Sequence, residues 1–424
     1  MREIALDSVN FAELVRPGDR VAWTSGTAEP FSLSERLVAQ RHDVGALRLL
    51  LGTLYGETLT LDNVDGIAIE GLGGVGKARA LASAGVMDVL PNHMSDFATL
   101  IRTRRLPVDV AIVQVAEDPQ TGALSYGAVN GYGPDLIDTA RTVIAEINSN
   151  APFSHATTMV PRERIALAAR SDRPLIDLPE AKLDDVSIAI GRHVASLVPD
   201  GACLQIGVGS IPGAVLAALE GHKDLGLHSG TIGDSVIPLI ERGVITNARK
   251  PIDRGVSVTG TLTGTRKIYD FAHRNPDLRI EPVSVTHELS VLAQLDGLAT
   301  INSAIEIDLT GQVNAEVIGR HYVGAVGGQV DFVRGARAAK GGVSIFALPA
   351  TTAKGASKIV PTIASGIVTT ARADVDYVVT EYGIARLSDC GLGERARRLI
   401  AIAHPDHREF LEQAARSIPG GLPA

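Results

Sequence analysis

The segment 207–213, GVGSIPG, has the residue types and spacing best suited to binding a polar ligand. It follows ACLQI, which has the composition of a central strand, and it precedes AVLAALEG, which predicts a helix. A glycine turn between a strand and a helix directs backbone N–H groups into the crevice at the carboxyl end of the strand, where they can bind a thioester oxygen, an amide or a phosphate. From the residues alone, a binding turn and a purely structural turn are equally well supported.

His228 and Ser229 together suggest nucleophilic catalysis by an activated serine. Adjacent residues on one strand point to opposite faces, however, so the imidazole is badly placed to take the proton of this hydroxyl. The chain also has no G-x-S-x-G motif, which carries the nucleophile of α/β-hydrolases. These features argue against a serine hydrolase.

A second glycine-rich segment, GLGGVGKA at 71–78, follows a predicted strand and resembles two nucleotide-binding motifs. A P-loop requires Ser or Thr after the lysine to bind Mg²⁺, and Ala78 has no oxygen to offer. A dinucleotide fold requires an acidic residue about 20 positions later, and Asp88 comes too early. We therefore interpret these glycines as permitting a tight turn and close backbone packing. A nucleotide-dependent enzyme is the alternative.

An internal repeat indicates which elements position these turns. Residues 15–30 and 197–212 share a Pro/Gly/Asp turn, a β-rich run, a small-residue turn and a proline that opens a helix. Aligning Pro17 with Pro199 also aligns Pro30 with Pro212. Each half of the chain is thus predicted to begin with the same strand–turn–helix unit, with chance similarity of two such units as the alternative.

Aliphatic runs between helical patterns predict buried parallel strands joined by right-handed crossovers. The polar, proline-containing stretch 172–185 is the best linker in the chain. We therefore predict an N-terminal domain at 1–180 and a C-terminal domain at 181–424. The runs predicted as strands are 47–54, 65–71, 108–115, 142–148, 343–349 and 375–381.

Composition limits the classes of function. A chain of 424 residues is long enough for two domains, and 45% apolar with 4% aromatic residues suits the aliphatic core of parallel sheets. A net charge of −8 without a long basic block argues against nucleic-acid binding. With no signal-peptide pattern and no long apolar stretch, we expect a cytoplasmic protein that does not contact a membrane. Cys203 and Cys390 suggest neither a disulfide framework nor a metal site.

Over nearly its whole length, and most densely from residue 203 to 405, the chain resembles the acetyl-CoA hydrolase/transferase family, which includes 4-hydroxybutyrate CoA-transferases. The resemblance implies an α/β fold of two similar open domains of the CoA-transferase type, with the active site in the cleft between them. It also implies coenzyme A, as a substrate thioester, and a homodimer. The stretches that carry the resemblance are GVGSIPGAV, TGTRKIYDFAHRNP, INSAIEIDLTGQVNAEVIG, GAVGGQVDFVRGA, LPATTAKGASKIVP, DVDYVVTEYGIARL and IAHPDHRE.

Residue roles follow from the same resemblance. Lys354, in AKG, would meet a CoA phosphate or the pantetheine region, and Glu381, in TEYG, matches a family glutamate near the reacting centre. The residues that would line CoA are Gly207, Val208, Gly209, Ser210, Ile211, Gly324 and Gly328.

Two positions depart from the family pattern. Gly230 stands where the family has a glutamate that attacks the acyl-CoA carbonyl and is then captured by CoA as a glutamyl thioester. We expect the space freed by this loss to admit water or a substrate carboxylate. His287 stands where members commonly carry an asparagine that helps to hold the thioester oxygen. A histidine can donate to an oxyanion when protonated or act as a general base when neutral. A histidine without a chemical role is the alternative.

These observations favour a divergent enzyme that acts on an acyl-CoA or related thioester without the usual glutamyl-CoA intermediate. Hydrolysis or direct acyl transfer would then rely on His287, with a small carboxylate as a second substrate and no metal. A conventional CoA-transferase that uses another carboxylate is one alternative. A non-catalytic protein that binds CoA or a partner is the other.

Overall fold

The computed structural model describes residues 1–420, which form two compact units. The first unit consists of Met1–Pro179, Val258–Thr286 and His321–Gly327. The second consists of Glu180–Ser257, His287–Arg320 and the chain from Gly328 onwards. The sequence-based division into 1–180 and 181–424 is contiguous and does not include the two later returns to the first unit.

Strands and helices alternate along both units. The strands are β1 Arg2–Glu3, β2 Arg20–Trp23, β3 Leu47–Leu51, β4 Ile67–Gly71, β5 Met87–Val89, β6 Val110–Glu117, β7 Leu124–Ser125, β8 Thr142–Asn148, β9 Leu167–Ser171, β10 Cys203–Ile206, β11 Gly226–Ile232, β12 Ser257–Leu262, β13 Leu278–Ile280, β14 Leu298–Asn302, β15 Glu306–Asp308, β16 Val313–Asn314, β17 Val317–Ile318, β18 His321–Tyr322, β19 Val343–Ala347, β20 Ile359–Val360, β21 Tyr377–Thr380 and β22 Gly383–Arg386.

The helices are α1 Phe11–Leu14, α2 Phe31–Ala39, α3 Arg41–Val44, α4 Ala78–Ser83, α5 Met94–Arg102, α6 Gly133–Thr139, α7 Asp185–Ala195, α8 Ser210–Ala218, α9 Ile237–Glu241, α10 Arg266–Ala272, α11 Val283–Thr286, α12 Leu289–Leu292, α13 Gln329–Ala338, α14 Leu392–Ala401 and α15 Pro405–Ala415. Short 3₁₀ turns occur at Leu6–Ser8, Gly26–Ala28, Arg162–Arg164 and Asp234–Val236. No helix within residues 1–420 is long and apolar enough to cross a membrane.

The main sheet of the first unit has the order β1-β9-β8-β6-β2-β3-β4-β5, and every neighbouring pair along this path is parallel. Its central strands are continuous apolar runs, as expected where helices cover both faces of a sheet. In β6, for example, every residue except the last, Glu117, is buried.

Five parallel strands of the second unit, in the order β11-β10-β14-β19-β21, form the sheet that carries most of the predicted site residues. The antiparallel strand β22 closes its far side. Because the five strands run the same way, their carboxyl ends lie along one edge. The predicted parallel α/β sheets are thus confirmed, and each of the six predicted runs forms a strand.

The glycines of segment 71–78 are packed against backbone in the first unit. Gly74 N–H donates to the carbonyl of Gly324 at 2.8 Å, and a Cβ on Gly74 would lie 2.4 Å from the carbonyl oxygen of Tyr322. Lys77 forms an ion pair with Glu57 at 2.5 Å. This environment agrees with the interpretation that these glycines permit close packing.

Replacing Gly74 by alanine is expected to destabilise the protein by about 1–3 kcal/mol, because the new methyl group overlaps rigid backbone. Gly221→Ala is the matched control, since a Cβ there meets nothing within 4 Å. Urea unfolding of both variants checks this expectation. Equal stability of the two variants would show that the segment relaxes freely.

Candidate functional site

The turn after β10 lines a cavity of about 290 Å³ in the second unit. Gly209 adopts a φ of +128°, which glycine tolerates and other residues rarely do, and α8 begins at the next residue. The cavity is lined by Gly207, Val208, Gly209, Ser210, Ile211 and Pro212, together with Gln205, Ile301, Asn302 and Ser303. The structure therefore brings the five predicted turn residues to one cavity.

Hydrogen bonds fix the other wall of this cavity. Asn302 donates through Nδ2 to Gln205 Oε1 at 3.2 Å, which links the ends of β14 and β10. Gln329 Nε2 donates to the carbonyl of Ser303 at 2.8 Å and so connects α13 to the same wall. No side chain caps the start of α8. The first N–H groups of a helix without such a cap, and the positive end of its dipole, can interact with a ligand. The cavity suits amide and phosphate oxygens.

His287 lies beside two glycines of the second unit, Gly230 on β11 and Gly328 at the start of α13. A Cβ on Gly230 would lie 2.8 Å from His287 Nε2 and 3.3 Å from Phe332 Cε2, while a Cβ on Gly328 would lie 2.4 Å from His287 Nε2. The His287 and Phe332 rings pack with their centroids 4.7 Å apart. The expectation of free space at position 230 is therefore wrong, because these two rings fill it.

Burial sets the protonation state of His287. Desolvation, with a smaller contribution from His228, lowers the pKa of His287 from its usual 6.5 to about 3. The imidazole is consequently neutral at physiological pH, so it does not act as a charged donor. A base with such a low pKa also captures a proton poorly. In the neutral form, one nitrogen of the ring carries an N–H and the other does not.

Ser229 is buried and bound to backbone. Its hydroxyl donates to the carbonyl of Ile206 at 2.7 Å and lies 3.0 Å from the carbonyl of Thr231. This hydrogen bonding joins β11 to β10 and leaves Ser229 no geometry for nucleophilic attack. The argument against a serine hydrolase therefore gains support from the structure.

Glu381 lies directly after β21, at the same edge of the sheet as the other predicted residues. Its Oε2 accepts the N–H of Ala350 at 2.9 Å. Burial lowers the pKa of the Lys358 ammonium, while the nearby Glu381 carboxylate opposes that shift. Glu381 is thus placed to fix the chain after β19 and to interact with the half-buried Lys358.

Strand register separates Glu381 from Gly230. Pairing across the sheet places Ile206, Ile301, Ile345 and Tyr377 in one row. Extending the β10–β11 register by two residues adds Ser229 to this row. Gly230 is one residue beyond this row, four strands from the corresponding position on β21, and Glu381 is three residues further on. With strands about 4.8 Å apart and a rise of about 3.3 Å per residue, the two Cα atoms are roughly 20 Å apart.

The predicted CoA residues of the GAVGGQ stretch have different surroundings. Gly324 belongs to the first unit, where its carbonyl accepts the N–H of Gly74, whereas Gly328 belongs to the second unit and lies against His287. Lys354 is exposed in a hairpin after β19, held by the bridge between Thr351 and Ser357. Of these three residues, Gly328 is the one that lies against His287.

Sequence reasoning missed Phe332 and Lys358. Phe332 packs on His287, and no local pattern indicates this contact because 45 positions separate the two residues. Lys358 follows Lys354 by four positions in AKGASK. The presence of a second lysine in this segment is the sequence feature that could have indicated it.

Comparisons with known proteins agree with this architecture. The acetyl-CoA hydrolase/transferase N-terminal domain matches residues 6–165, and the C-terminal domain of the same family matches residues 264–415. A 4-hydroxybutyrate coenzyme A transferase of Clostridium kluyveri is 43% identical over 338 residues, which is 79% of each chain. A succinyl-CoA:cyclohexane-1-carboxylate CoA transferase of Geobacter metallireducens is 33% identical, covering 98% of this chain and 95% of its own.

Solved structures show the same fold. RipA from Yersinia pestis superposes with a TM-score of 0.92 at 33% identity, covering 98% of this chain and 97% of its own. A 4-hydroxybutyrate CoA-transferase from Porphyromonas gingivalis gives a TM-score of 0.82 at the same identity and coverage. The two α/β units thus define a protein with the CoA-transferase fold. The chain belongs to the acetyl-CoA hydrolase/transferase family.

The Gly209→Val variant is expected to weaken CoA binding at least tenfold, because valine cannot hold the φ of +128° that starts α8. Gly243→Val is the control: its φ of +72° is also positive and its Cβ meets nothing within 4 Å, but it lies outside the cavity. Calorimetry with CoA compares the two variants. Unchanged affinity in a folded Gly209→Val protein would remove this turn from the site.

Proposed function

We propose that this protein binds an acyl-CoA and promotes attack on the thioester carbonyl by water or by a carboxylate substrate, without a glutamyl-CoA intermediate. Membership of the family and the cavity at the turn 207–211 support CoA binding. The observation that carries the proposed mechanism is the position of the His287 ring, whose Nε2 lies 2.8 Å from where a Cβ on Gly230 would be. Burial lowers the pKa of this imidazole, which favours its neutral form.

In this proposal, the carbonyl oxygen of the thioester accepts a hydrogen bond from the neutral imidazole. A buried neutral imidazole can polarise the carbonyl because it donates a hydrogen bond without the free-energy cost of burying a charge. Donors directed at the developing oxyanion lower the barrier of the reaction. The family asparagine would supply a similarly neutral N–H donor at this position.

The nucleophile must then come from outside the chain. In hydrolysis, a water oxygen forms a bond to the carbonyl carbon, the carbon–sulfur bond breaks, and the thiolate takes up a proton. In direct transfer, a substrate carboxylate attacks the carbonyl carbon and the carbon–sulfur bond breaks, which gives a mixed anhydride and the CoA thiolate. The thiolate then attacks the carbonyl carbon that came from the substrate carboxylate, forming its CoA thioester and releasing the original acyl group as a carboxylate. Both routes leave the protein unmodified.

A conventional mechanism through another protein carboxylate has less support. Glu381, the glutamate that the family resemblance places near the reacting centre, is roughly 20 Å from Gly230 by strand spacing. A glutamate side chain does not span that separation. We therefore assign Glu381 to ligand binding at the far end of the edge.

A second function, non-catalytic CoA binding, is favoured by the same packing. The His287 and Phe332 rings lie against the Cβ position of residue 230, which is glycine and supplies no carboxylate. Such a protein would bind CoA without consuming a thioester.

The experiment that separates the two functions follows free thiol release and CoA exchange from acetyl-, butyryl-, succinyl- and 4-hydroxybutyryl-CoA, with and without acetate. Protein-dependent turnover of at least one thioester is the result expected for the enzyme. Tight CoA binding with no turnover of any of them would establish the second function. Light scattering of the same sample tests the expected homodimer.

A further inference from the structure

A second cavity, of about 610 Å³, is lined by residues of the first unit, whereas the cavity at the turn 207–211 belongs to the second unit. It lies at the carboxyl edge of the first unit's main sheet, where β6, β8 and β9 end at Glu117, Asn148 and Ser171. Ligands of parallel α/β sheets bind at this edge, near the strand where the strand order reverses. That strand is β2, which lies between β3 and β6. Volumes of about 300–1,000 Å³ are typical of small-molecule sites.

Two side chains on one wall of this cavity can donate hydrogen bonds to an anion. Phe153 N–H donates to His273 Nδ1 at 3.1 Å, and Arg274 N–H donates to the Phe153 carbonyl at 2.8 Å. Because His273 Nδ1 accepts, the ring hydrogen is on Nε2, which is a donor. The Arg274 guanidinium carbon lies 5.2 Å from the centre of the Phe153 ring, and its Nη1 lies 3.0 Å from Asp118 Oδ2. A guanidinium has five N–H donors, so this ion pair leaves donors for a second carboxylate. We call His273 and Arg274 the donor wall.

The floor of the cavity is apolar. Ala116, Ala151 and Phe153 line the cavity and form a small hydrophobic cluster, and the aliphatic side chain of Ile147 also lines it. Methylene groups that cover such a floor are removed from water, which favours binding. The floor therefore suits a ligand with an aliphatic body.

An acidic residue, Asp172, lines the cavity from the strand β9 side. It is exposed, and Asn150 Nδ2 donates to its backbone carbonyl, which fixes the chain after β9. Glu117, the other acid that lines the cavity, is held in ion pairs with Arg162 and Arg170, each at 2.7 Å. The carboxylate placed to receive a cationic group of a ligand is therefore that of Asp172.

The register of the sheet gives the separation between the two charged sides. Extending the pairing of β6 with β8 and of β8 with β9 to the strand ends puts Glu117 and Asp172 in one row, two strands apart. With strands about 4.8 Å apart, their Cα atoms are roughly 10 Å apart. Asp118, the ion-pair partner of Arg274, directly follows Glu117. The donor wall and Asp172 are thus too far apart for the adjacent charges of an α-amino acid.

We propose that this cavity binds a linear ω-amino acid of about five or six carbons. Its carboxylate would accept hydrogen bonds from the donor wall, its methylene chain would cover the apolar floor, and its ammonium would pair with Asp172. About six bonds separate the nitrogen of 6-aminohexanoate from its carboxyl carbon, so the extended molecule is roughly 7.5 Å long between charges. A hydrogen bond at each end completes the span. The site shares no lining residue with the cavity at the turn 207–211 and does not depend on the proposed thioester chemistry.

Calorimetry on the full-length protein with four matched compounds tests the chemistry of the ligand. Hexanoate lacks the ammonium, hexylamine lacks the carboxylate, and 2-aminohexanoate has the same atoms as 6-aminohexanoate with the two charges adjacent. We expect 6-aminohexanoate to bind at least tenfold more tightly than each of the other three, because it alone reaches both charged sides.

Two variants test the residues. Arg274→Gln and Asp172→Asn are each expected to weaken binding of 6-aminohexanoate about tenfold, and Asp172→Asn should also remove its advantage over hexanoate. Arg105→Gln is the control, because Arg105 is exposed but precedes β6, at the amino end of the sheet. Circular dichroism confirms that each variant is folded.

Any of three results would overturn the proposal. The first is no binding of 6-aminohexanoate by the unmodified protein at millimolar concentration. The second is equal binding of 2-aminohexanoate, hexanoate or hexylamine, which would show that the paired charges are not recognised. The third is unchanged affinity for 6-aminohexanoate in both folded variants, which would place the bound molecule elsewhere.

Discussion

The double variant Gly230→Glu/His287→Asn is expected to form a covalent glutamyl-CoA species with acyl-CoA, whereas Gly230→Glu alone is not. In the single variant, the first side-chain carbon of the new glutamate would lie 2.8 Å from His287 Nε2 and 3.3 Å from Phe332 Cε2. The carboxylate is then displaced, and a displacement of about 1 Å can cost roughly 10²-fold in rate. Asparagine at position 287 is shorter and relieves the contact, and it is the residue type that the family resemblance implies there.

Intact mass spectrometry after addition of acyl-CoA measures this adduct, and hydroxylamine releases it. Gly230→Gln/His287→Asn is the matched control, since the amide has the same shape but does not attack a thioester. Adduct formation by Gly230→Glu alone would show that His287 moves aside readily. An absence of adduct in the folded double variant would contradict the assignment of position 230 to the nucleophile.

The His287→Ala variant is expected to turn over the thioester roughly 10²-fold more slowly than the unmodified protein. This is the typical effect of losing a hydrogen-bond donor to an oxyanion. His287→Asn is expected to retain more activity, because its amide is also a neutral donor. Steady-state thiol release compares the three proteins with one acyl-CoA.

The pH dependence distinguishes a donor from a base. Since the pKa of His287 is lowered to about 3, the imidazole stays neutral as the pH falls from 8 to 5, and the rate should show no acid limb near the ordinary value of 6.5. An acid limb between pH 6 and 7 that disappears in His287→Asn would identify a general base instead. Full activity of His287→Ala would exclude both roles.

Local sequence patterns predict several elements of the fold. The six aliphatic runs form strands because continuous apolar residues suit sheets covered on both faces, and the turn 207–213 joins β10 to α8 as its glycines and the preceding apolar run indicate. The interpretation of Gly230 as a missing carboxylate depends on one residue and on the family resemblance, and it stays a prediction.

The packing of the site depends on contacts between distant positions. His287 is 57 residues from Gly230, and only the fold shows that its ring fills the volume of the missing side chain. The separation of Glu381 from Gly230 likewise requires the strand order, since the family motif alone places both near the reacting centre. Local patterns predict elements, whereas strand order and side-chain packing decide which residues meet.

The most direct test of the central claim is the intact mass of the unmodified protein, trapped with borohydride or hydroxylamine during turnover of an acyl-CoA. The account predicts thiol release or CoA exchange from a protein whose mass stays that of the unmodified chain. A glutamyl-CoA adduct on any carboxylate, formed and consumed at the rate of turnover, would contradict it.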